Sequence, residues 1–289
     1  MTTIDVHWTT LIDPQTLARH LGDPGLIVLD CRFDIANGNA GWQAYGRSHL
    51  PGAFYAHLET DLSDMGRSGR GRHPLPDPPQ FAAVMGRYGI EPTRQVVCYD
   101  DAGGALAAAR AWWLLRNCGH SRVAVLDGGW SAWTSADLPV AADKPVHRIG
   151  DYPLSWDASG VVNDAGLLAD DLAAGRIMLI DARASARYRG EIEPIDSKAG
   201  HVPGAVNRPY SDNLASDGRF KDSVLLREEF HALIGDRPPR EVVHMCGSGV
   251  TALHNLLAMD HAGFRGSRLY APSWSGWIVD PQRAVAVGG

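Results

Sequence analysis

The chain has 289 residues, 45% hydrophobic and 21% charged, a composition that excludes an extended disordered chain or a collagen-like repeat. Its 33 acidic side chains outnumber its 27 lysines and arginines, and the formal net charge of -6 argues against nucleic acid as a partner. No apolar run reaches the ~20 residues of a membrane span. The start MTTIDVHWTT carries no basic-then-apolar leader pattern, and four cysteines without C-x-x-C spacing make no disulfide framework. A cytoplasmic protein of two domains is expected.

In chain order, Asp13 before Pro14 predicts the capped start of a helix. LIVLD (Leu26–Asp30) predicts a strand, as do QVVCY (Gln95–Tyr99) and RVAVL (Arg122–Leu126). Between the first two lies RSGRGRHPLPDPP (Arg67–Pro79), an irregular loop long enough to suggest a functional role. The proline-bearing stretch Ala141–Asp157 reads as a linker, placing domains at 1–142 and 158–289 with 143–157 between them. Beyond it, IMLID (Ile177–Asp181), EVVHM (Glu241–Met245) and SRLYA (Ser267–Ala271) predict strands. Asn163 is expected to cap the helix DAGLLADDLAA, with Gly175 stopping it, and Ser223 to cap VLLREEFHALI, with Gly235 after it.

The two halves repeat one another. LIVLDCR at Leu26 returns as IMLIDAR at Ile177, and HLPGA at His49 as HVPGA at His201. VVCYD, ending at Asp100, returns as VVHMC, ending at Cys246, and GWSAW at Gly129 returns as SWSGW at Ser273. Four matches in one order at near-constant offset imply two copies of one fold. The strands are apolar throughout, as in a parallel sheet covered on both faces, so each copy is expected to be an α/β unit, a mainly parallel sheet flanked by helices.

Ligands of such sheets bind outside the carboxyl ends of the strands. Cys246 stands at one of these ends, before the glycine-rich turn GSGVT and a helical pattern. Backbone N–H groups and the helix dipole favour a negative charge there, and the thiolate is the nucleophilic form of cysteine. The bland alternative, a buried structural cysteine, suits Cys31, Cys98 and Cys118. GSGVTA also matches G-x-G-x-x-G/A, but too late in the chain for a dinucleotide fold and without the acidic residue that binds ribose. A cysteine phosphatase requires C-x5-R, and Ala252 stands where that arginine would be.

With the D-A-R strand end, H-[LV]-P-G-A in both halves and LDGGWSAW, the loop CGSGVTA resembles that of the tandem-domain rhodanese-like sulfurtransferases, most closely the branch acting on 3-mercaptopyruvate. The resemblance implies two rhodanese-like domains and a persulfide carried by Cys246, its anion held by the N–H groups of Gly247, Ser248, Gly249, Val250 and Thr251. It implies a thiol acceptor such as thioredoxin or glutathione, or cyanide, and neither a metal nor an organic cofactor. Asp100 occupies the cysteine position of the first copy, which would make that domain catalytically silent. Neutral Gly247 and Ser248 replace the basic residues of the thiosulfate branch and favour 3-mercaptopyruvate. Arg187 would bind the donor carboxylate with help from Arg189. A further arginine that the branch carries after an E-P pair is replaced here, where Ile195 and Asp196 follow Glu193 and Pro194. Ser248, His73 and Glu59 match a serine–histidine–acid relay. Trp274 and Trp277 are candidates for pocket wall or plain core. The alternatives are a thiosulfate:cyanide sulfurtransferase working by the same persulfide and a non-enzymatic rhodanese-like binding module.

Overall fold

A computed structural model describes residues 7–146 and 150–289. Residues 1–6, at the start where no leader pattern is read, and 147–149 of the expected linker lie outside the described residues. Two compact units emerge. One takes in the described residues up to Asp64, those of Pro76–Asp157, and Ser216–Phe220. The other takes in Met65–Leu75, Ala158–Ala215 and Lys221–Gly289. Most of the long arginine-rich loop therefore packs with the second unit, although it arises between strands of the first.

In the first unit the elements run β1 (Leu11–Ile12), α1 (Pro14–His20), β2 (Leu26–Asp30), α2 (Ala40–Arg47), β3 (Phe54–Tyr55), α3 (Pro78–Arg87), β4 (Gln95–Tyr99), α4 (Ala108–Asn117), β5 (Val123–Leu126) and α5 (Gly129–Ser135). The strands form one parallel sheet in the order β1-β5-β4-β2-β3. In the second unit they run β6 (Val161–Val162), α6 (Ala165–Ala173), β7 (Met178–Asp181), α7 (Ser185–Tyr188), β8 (Val206–Asn207), α8 (Ser223–Ile234), β9 (Val242–Met245), α9 (Ala252–His261), β10 (Arg268–Tyr270) and α10 (Ser273–Trp277). This sheet is also parallel, in the equivalent order β6-β10-β9-β7-β8. Each unit is thus the expected α/β fold. The central strands β4, β5 and β9 are buried along their whole length, which explains why they lack alternating polarity. No helix among the described residues is long and apolar enough to cross a membrane.

Helix starts differ from the sequence expectation by one residue at two places. The cap of α6 is Asp164 rather than Asn163, its carboxylate accepting the N–H groups of Gly166 and Leu167. The cap of α8 is Asp222 rather than Ser223, accepting from Val224. In both helices the capping residue is the last with extended backbone, and Ser223 is already the first helical residue. At α1 the expected cap holds, with Thr16 N–H donating to Asp13 Oδ1 at 2.9 Å.

The repeated sequence segments are repeated interactions. Arg32 clasps Asp30 with Nε and Nη2 and donates to the Ser48 carbonyl; Arg183 clasps Asp181 in the same way and donates to the Gly200 carbonyl. Each guanidinium lies over a tryptophan of the last repeat segment, Trp130 at 4.3 Å and Trp274 at 4.7 Å. His49 stacks on Tyr45 and His201 on Tyr188, each histidine Nδ1 meeting its tyrosine's carbonyl at 2.8 Å. Trp133 and Trp274 are fully buried and Trp277 nearly so, so the two tryptophans left open between pocket and core are core residues.

Candidate active site

Cys246 follows the last residue of β9, at the carboxyl edge of the second sheet. β9 pairs with β7 as far as Met245 beside Asp181, and Ala182 N–H continues the ladder to the Met245 carbonyl at 2.8 Å. The chain then curls through Gly247–Thr251 into α9. Gly249 holds the curl with φ +78°, and a Cβ there would lie 2.6 Å from the carbonyl oxygen of Ala271, so only glycine fits. Its N–H points at Cys246 Sγ, 3.2 Å away. Ser248 and Val250 are buried and Thr251 is half-buried.

The start of α10 fixes the cysteine from the other side. Cys246 N–H donates to Ser273 Oγ at 3.2 Å, and its carbonyl accepts from Trp274 N–H at 2.9 Å. Ser273 adopts φ +53°, uncommon for a residue with a side chain, and its hydroxyl also donates to the Tyr270 carbonyl at 3.0 Å. Strain of this kind persists only where the surroundings over-determine it, and it is concentrated at functional loops.

The first unit shows what this loop architecture holds. At the position of Cys246, Asp100 accepts five backbone N–H groups, those of Ala102 and Gly104 on Oδ1 and of Leu106, Ala107 and Ala108 on Oδ2, at 2.8–3.1 Å. Its carbonyl accepts from Trp130 N–H, as that of Cys246 does from Trp274. One unit holds a carboxyl group where the other holds a sulfur.

Ser248 Oγ and His73 Nδ1 share a hydrogen bond of 2.8 Å, both side chains buried. His73 comes from residues 65–75, anchored where Arg72 N–H donates to Ser275 Oγ at 2.9 Å. Gly71, at φ +86°, lies so close to Pro272 that a Cβ would collide with the carbonyl. Glu59, the expected third member, belongs to the first unit, where its N–H donates to His57 Nδ1 at 3.1 Å.

Arginines rim the loop. A Cβ on Gly247 would lie 3.2 Å from Arg72 Nη2 and 3.7 and 3.8 Å from the two terminal nitrogens of Arg187. Arg187, at the end of α7, grips Glu193 through Nε and Nη2 at 3.2 and 2.6 Å, and Nη2 also reaches Asp196 at 3.1 Å. Asp196 in turn accepts from Arg72 Nη1 at 2.5 Å. Burial pushes the Glu193 carboxyl up, but the hydrogen bonds from Arg187 and from the Asp196 and Ile195 N–H groups outweigh it and hold it below the ordinary carboxylate value. Arg189 turns instead to Glu191, at 2.6 and 3.0 Å on the exposed surface. A cleft of about 110 Å³ lined by Arg67, Arg70, Pro74, Leu75, Asn163 and Ala271 adjoins the site. Neither composition nor spacing marks Arg72, Glu193 or Asp196 as part of the site; the one signal for Arg72 is its place beside His73 in an arginine-rich loop. Chemically, the arrangement offers a sulfur nucleophile, an N–H donor aimed at it, a serine–histidine pair able to carry a proton and a cationic rim.

Comparison with known proteins agrees with this geometry. The profile of the rhodanese-like domain matches residues 13–136 and 164–280. A probable 3-mercaptopyruvate sulfurtransferase of Pseudomonas aeruginosa is 49% identical over 96% of this chain and 98% of its own. A putative thiosulfate sulfurtransferase of Mycobacterium tuberculosis is 39% identical over 92% of each chain. Among solved structures, a 3-mercaptopyruvate sulfotransferase from Escherichia coli superimposes with a TM-score of 0.78 at 29% identity, covering 93% of this chain and all of that one. The chain therefore belongs to the rhodanese-like sulfurtransferases, with two copies of the domain in tandem.

Proposed function

We propose that the protein moves sulfur from 3-mercaptopyruvate to a thiol or cyanide acceptor through a persulfide on Cys246. The observation that carries this reading is the buried Cys246 at the strand end, its sulfur 3.2 Å from the Gly249 N–H. The Cys246 thiolate attacks the donor sulfur, the carbon–sulfur bond breaks, and its electron pair leaves with carbon as the enolate of pyruvate. A proton then completes pyruvate, and the Ser248–His73 pair is placed to relay it. The outer sulfur of the persulfide is held by loop N–H groups, as an oxyanion is elsewhere. An acceptor thiolate such as that of thioredoxin or glutathione, or cyanide, attacks that sulfur and frees the Cys246 thiolate. The first domain carries no sulfur: at its cysteine position the Asp100 carboxylate fills the loop with five hydrogen bonds. A cytoplasmic setting, reducing for thiols, suits a cycle that needs Cys246 free.

Two observations keep thiosulfate in view as donor. One is the kinship with a putative thiosulfate sulfurtransferase, and the other is the pair of guanidinium groups over Gly247. Intact mass after incubation with either donor, acceptor omitted, tests the reading. One added sulfur atom is expected in the wild type and none in Cys246→Ser, with faster loading from 3-mercaptopyruvate at low concentration. Faster loading from thiosulfate would reverse the donor. No added sulfur from either donor, with the thiol shown to be reduced, would leave a docking module.

A further inference from the structure

A thiol acceptor has to meet the outer sulfur of the persulfide as a thiolate, the attacking form in sulfur exchange. Positive charge beside its approach would attract an anionic thiol and also favour its ionisation. The cleft lined by Arg67, Arg70, Pro74, Leu75, Asn163 and Ala271 offers such charge. All six residues belong to the second unit, and both arginines are exposed. No carboxylate lines the cleft among the described residues. Its volume of about 110 Å³ admits the carboxylate-bearing end of a small molecule.

The cleft lies one layer of backbone away from the nucleophile. The Ala271 carbonyl oxygen is 2.6 Å from where a Cβ on Gly249 would sit, and Gly249 turns its N–H to Cys246 Sγ at 3.2 Å. Pro74 follows His73, whose Nδ1 shares the 2.8 Å hydrogen bond with Ser248 Oγ. Other arginines near the loop are committed to carboxylates: Arg72 to Asp196, Arg187 to Glu193 and Arg189 to Glu191. Arg70 makes neither a hydrogen bond nor an ion pair among the described residues. Its charge is felt at Asp164, whose carboxyl is held below its ordinary value by the N–H groups of Leu167 and Gly166 and then by the charges of Arg283 and Arg70. Because Asp164 caps α6, the Asn163 carboxamide has no capping role and lines the cleft instead.

We propose that this cleft is the acceptor subsite, and that it takes a low-molecular-weight thiol bearing a carboxylate, held by Arg67, Arg70 and Asn163. The acceptor thiol gives its proton to solvent, and its thiolate attacks the outer sulfur. A new sulfur–sulfur bond forms, the bond to Cys246 breaks, and its electron pair returns to Cys246 as thiolate. The acceptor leaves as its own persulfide. The assignment rests on the persulfide reading above and names the acceptor class.

Two measurements on the full chain test it. In the first, protein loaded with sulfur and freed of donor is mixed with glutathione, which carries carboxylates, or with neutral dithiothreitol, and loss of the added sulfur is followed by intact mass. Arg67→Ala and Arg70→Ala should each lower the glutathione-to-dithiothreitol rate ratio about two- to fivefold, the scale of one exposed charge pair. The double charge reversal Arg67→Glu with Arg70→Glu should lower it further, Arg70→Lys should keep most of it, and high salt should diminish it in the wild type. The second measurement needs no persulfide. S-methylglutathione, which has no free thiol, should slow alkylation of Cys246 by iodoacetamide in the wild type and do so less in the double reversal.

An unchanged rate ratio in the double reversal would overturn the assignment and leave the persulfide reading standing. Equal slowing with both thiols would give the two arginines a structural role and overturn it as well. Protection that depends on the arginines, in a protein that loads sulfur from neither donor, would overturn the persulfide reading while keeping the cleft as a carboxylate-binding site.

Discussion

Gly249 has two duties that a side chain would separate. Its left-handed backbone turns the loop under Cys246, and the same turn aims its N–H at the sulfur. Alanine in that conformation costs about 1–2 kcal/mol by itself, and its Cβ would have to displace the Ala271 backbone, 2.6 Å away. Ala271 immediately precedes the Pro272–Ser275 segment that fixes Cys246 and Gly247 through Ser273, Trp274 and Ser275. Gly249→Ala should therefore lower stability by about 2 kcal/mol or more and slow persulfide formation on the order of a hundredfold, the scale of losing one anion-stabilising N–H. Urea midpoints and timed intact-mass measurements read the two effects. Loading at the wild-type rate would show that the Gly249 N–H does not stabilise the reacting sulfur.

The capping of α8 gives a second prediction, because sequence and structure name neighbouring residues for it. Asp222→Ala should destabilise by about 1 kcal/mol, while Ser223→Ala should stay within about 0.5 kcal/mol; equal effects in urea unfolding would contradict the cap seen here. The cap was misplaced by one because it depends on which residue is last to be extended, and two adjacent cap-competent side chains carry no signal of that. The long central strands were legible because both of their faces are buried. The two-residue strands β1, β3, β6 and β8 were not, since they sit at sheet edges and are too short to show a pattern. Cys246 was legible from a strand end followed by glycines. Glu193 and Asp196 were not, because acidic residues in a short loop usually face solvent, and what buries them is their pairing with arginines. Arg72 was missed because its contact with Asp196 joins residues 124 apart in sequence.

Each half of the duplicated fold also buries a histidine that stays neutral, which ties the stability of the whole chain to pH. In the first unit, burial pushes His120 down to about 4 despite hydrogen bonds to backbone carbonyls. In the second, burial and then the charge of Arg208 push His244 down to about 3; among the described residues its Nδ1 has no hydrogen-bond partner, and its Nε2 meets the Met259 sulfur at 3.2 Å. In the unfolded chain both would titrate near the ordinary value of 6.5. Below that pH the unfolded state binds two protons that the native state resists, so the stability is complete above about 6.5 and is lost as pH falls towards the folded values. Each histidine contributes a slope of about 1.4 kcal/mol per pH unit within that window. Burial shifts His261 in the same direction. The carboxyls of Glu193 and Glu229, held below their usual range by cationic partners, add a loss of the same sign only at more acidic pH. Urea unfolding between pH 7.5 and 5 should therefore show falling stability, and His244→Leu, which removes the buried ring, should make the fall shallower by about 1.4 kcal/mol per pH unit. Parallel slopes for wild type and His244→Leu would mean that His244 accepts its proton in the folded protein as readily as in the unfolded chain.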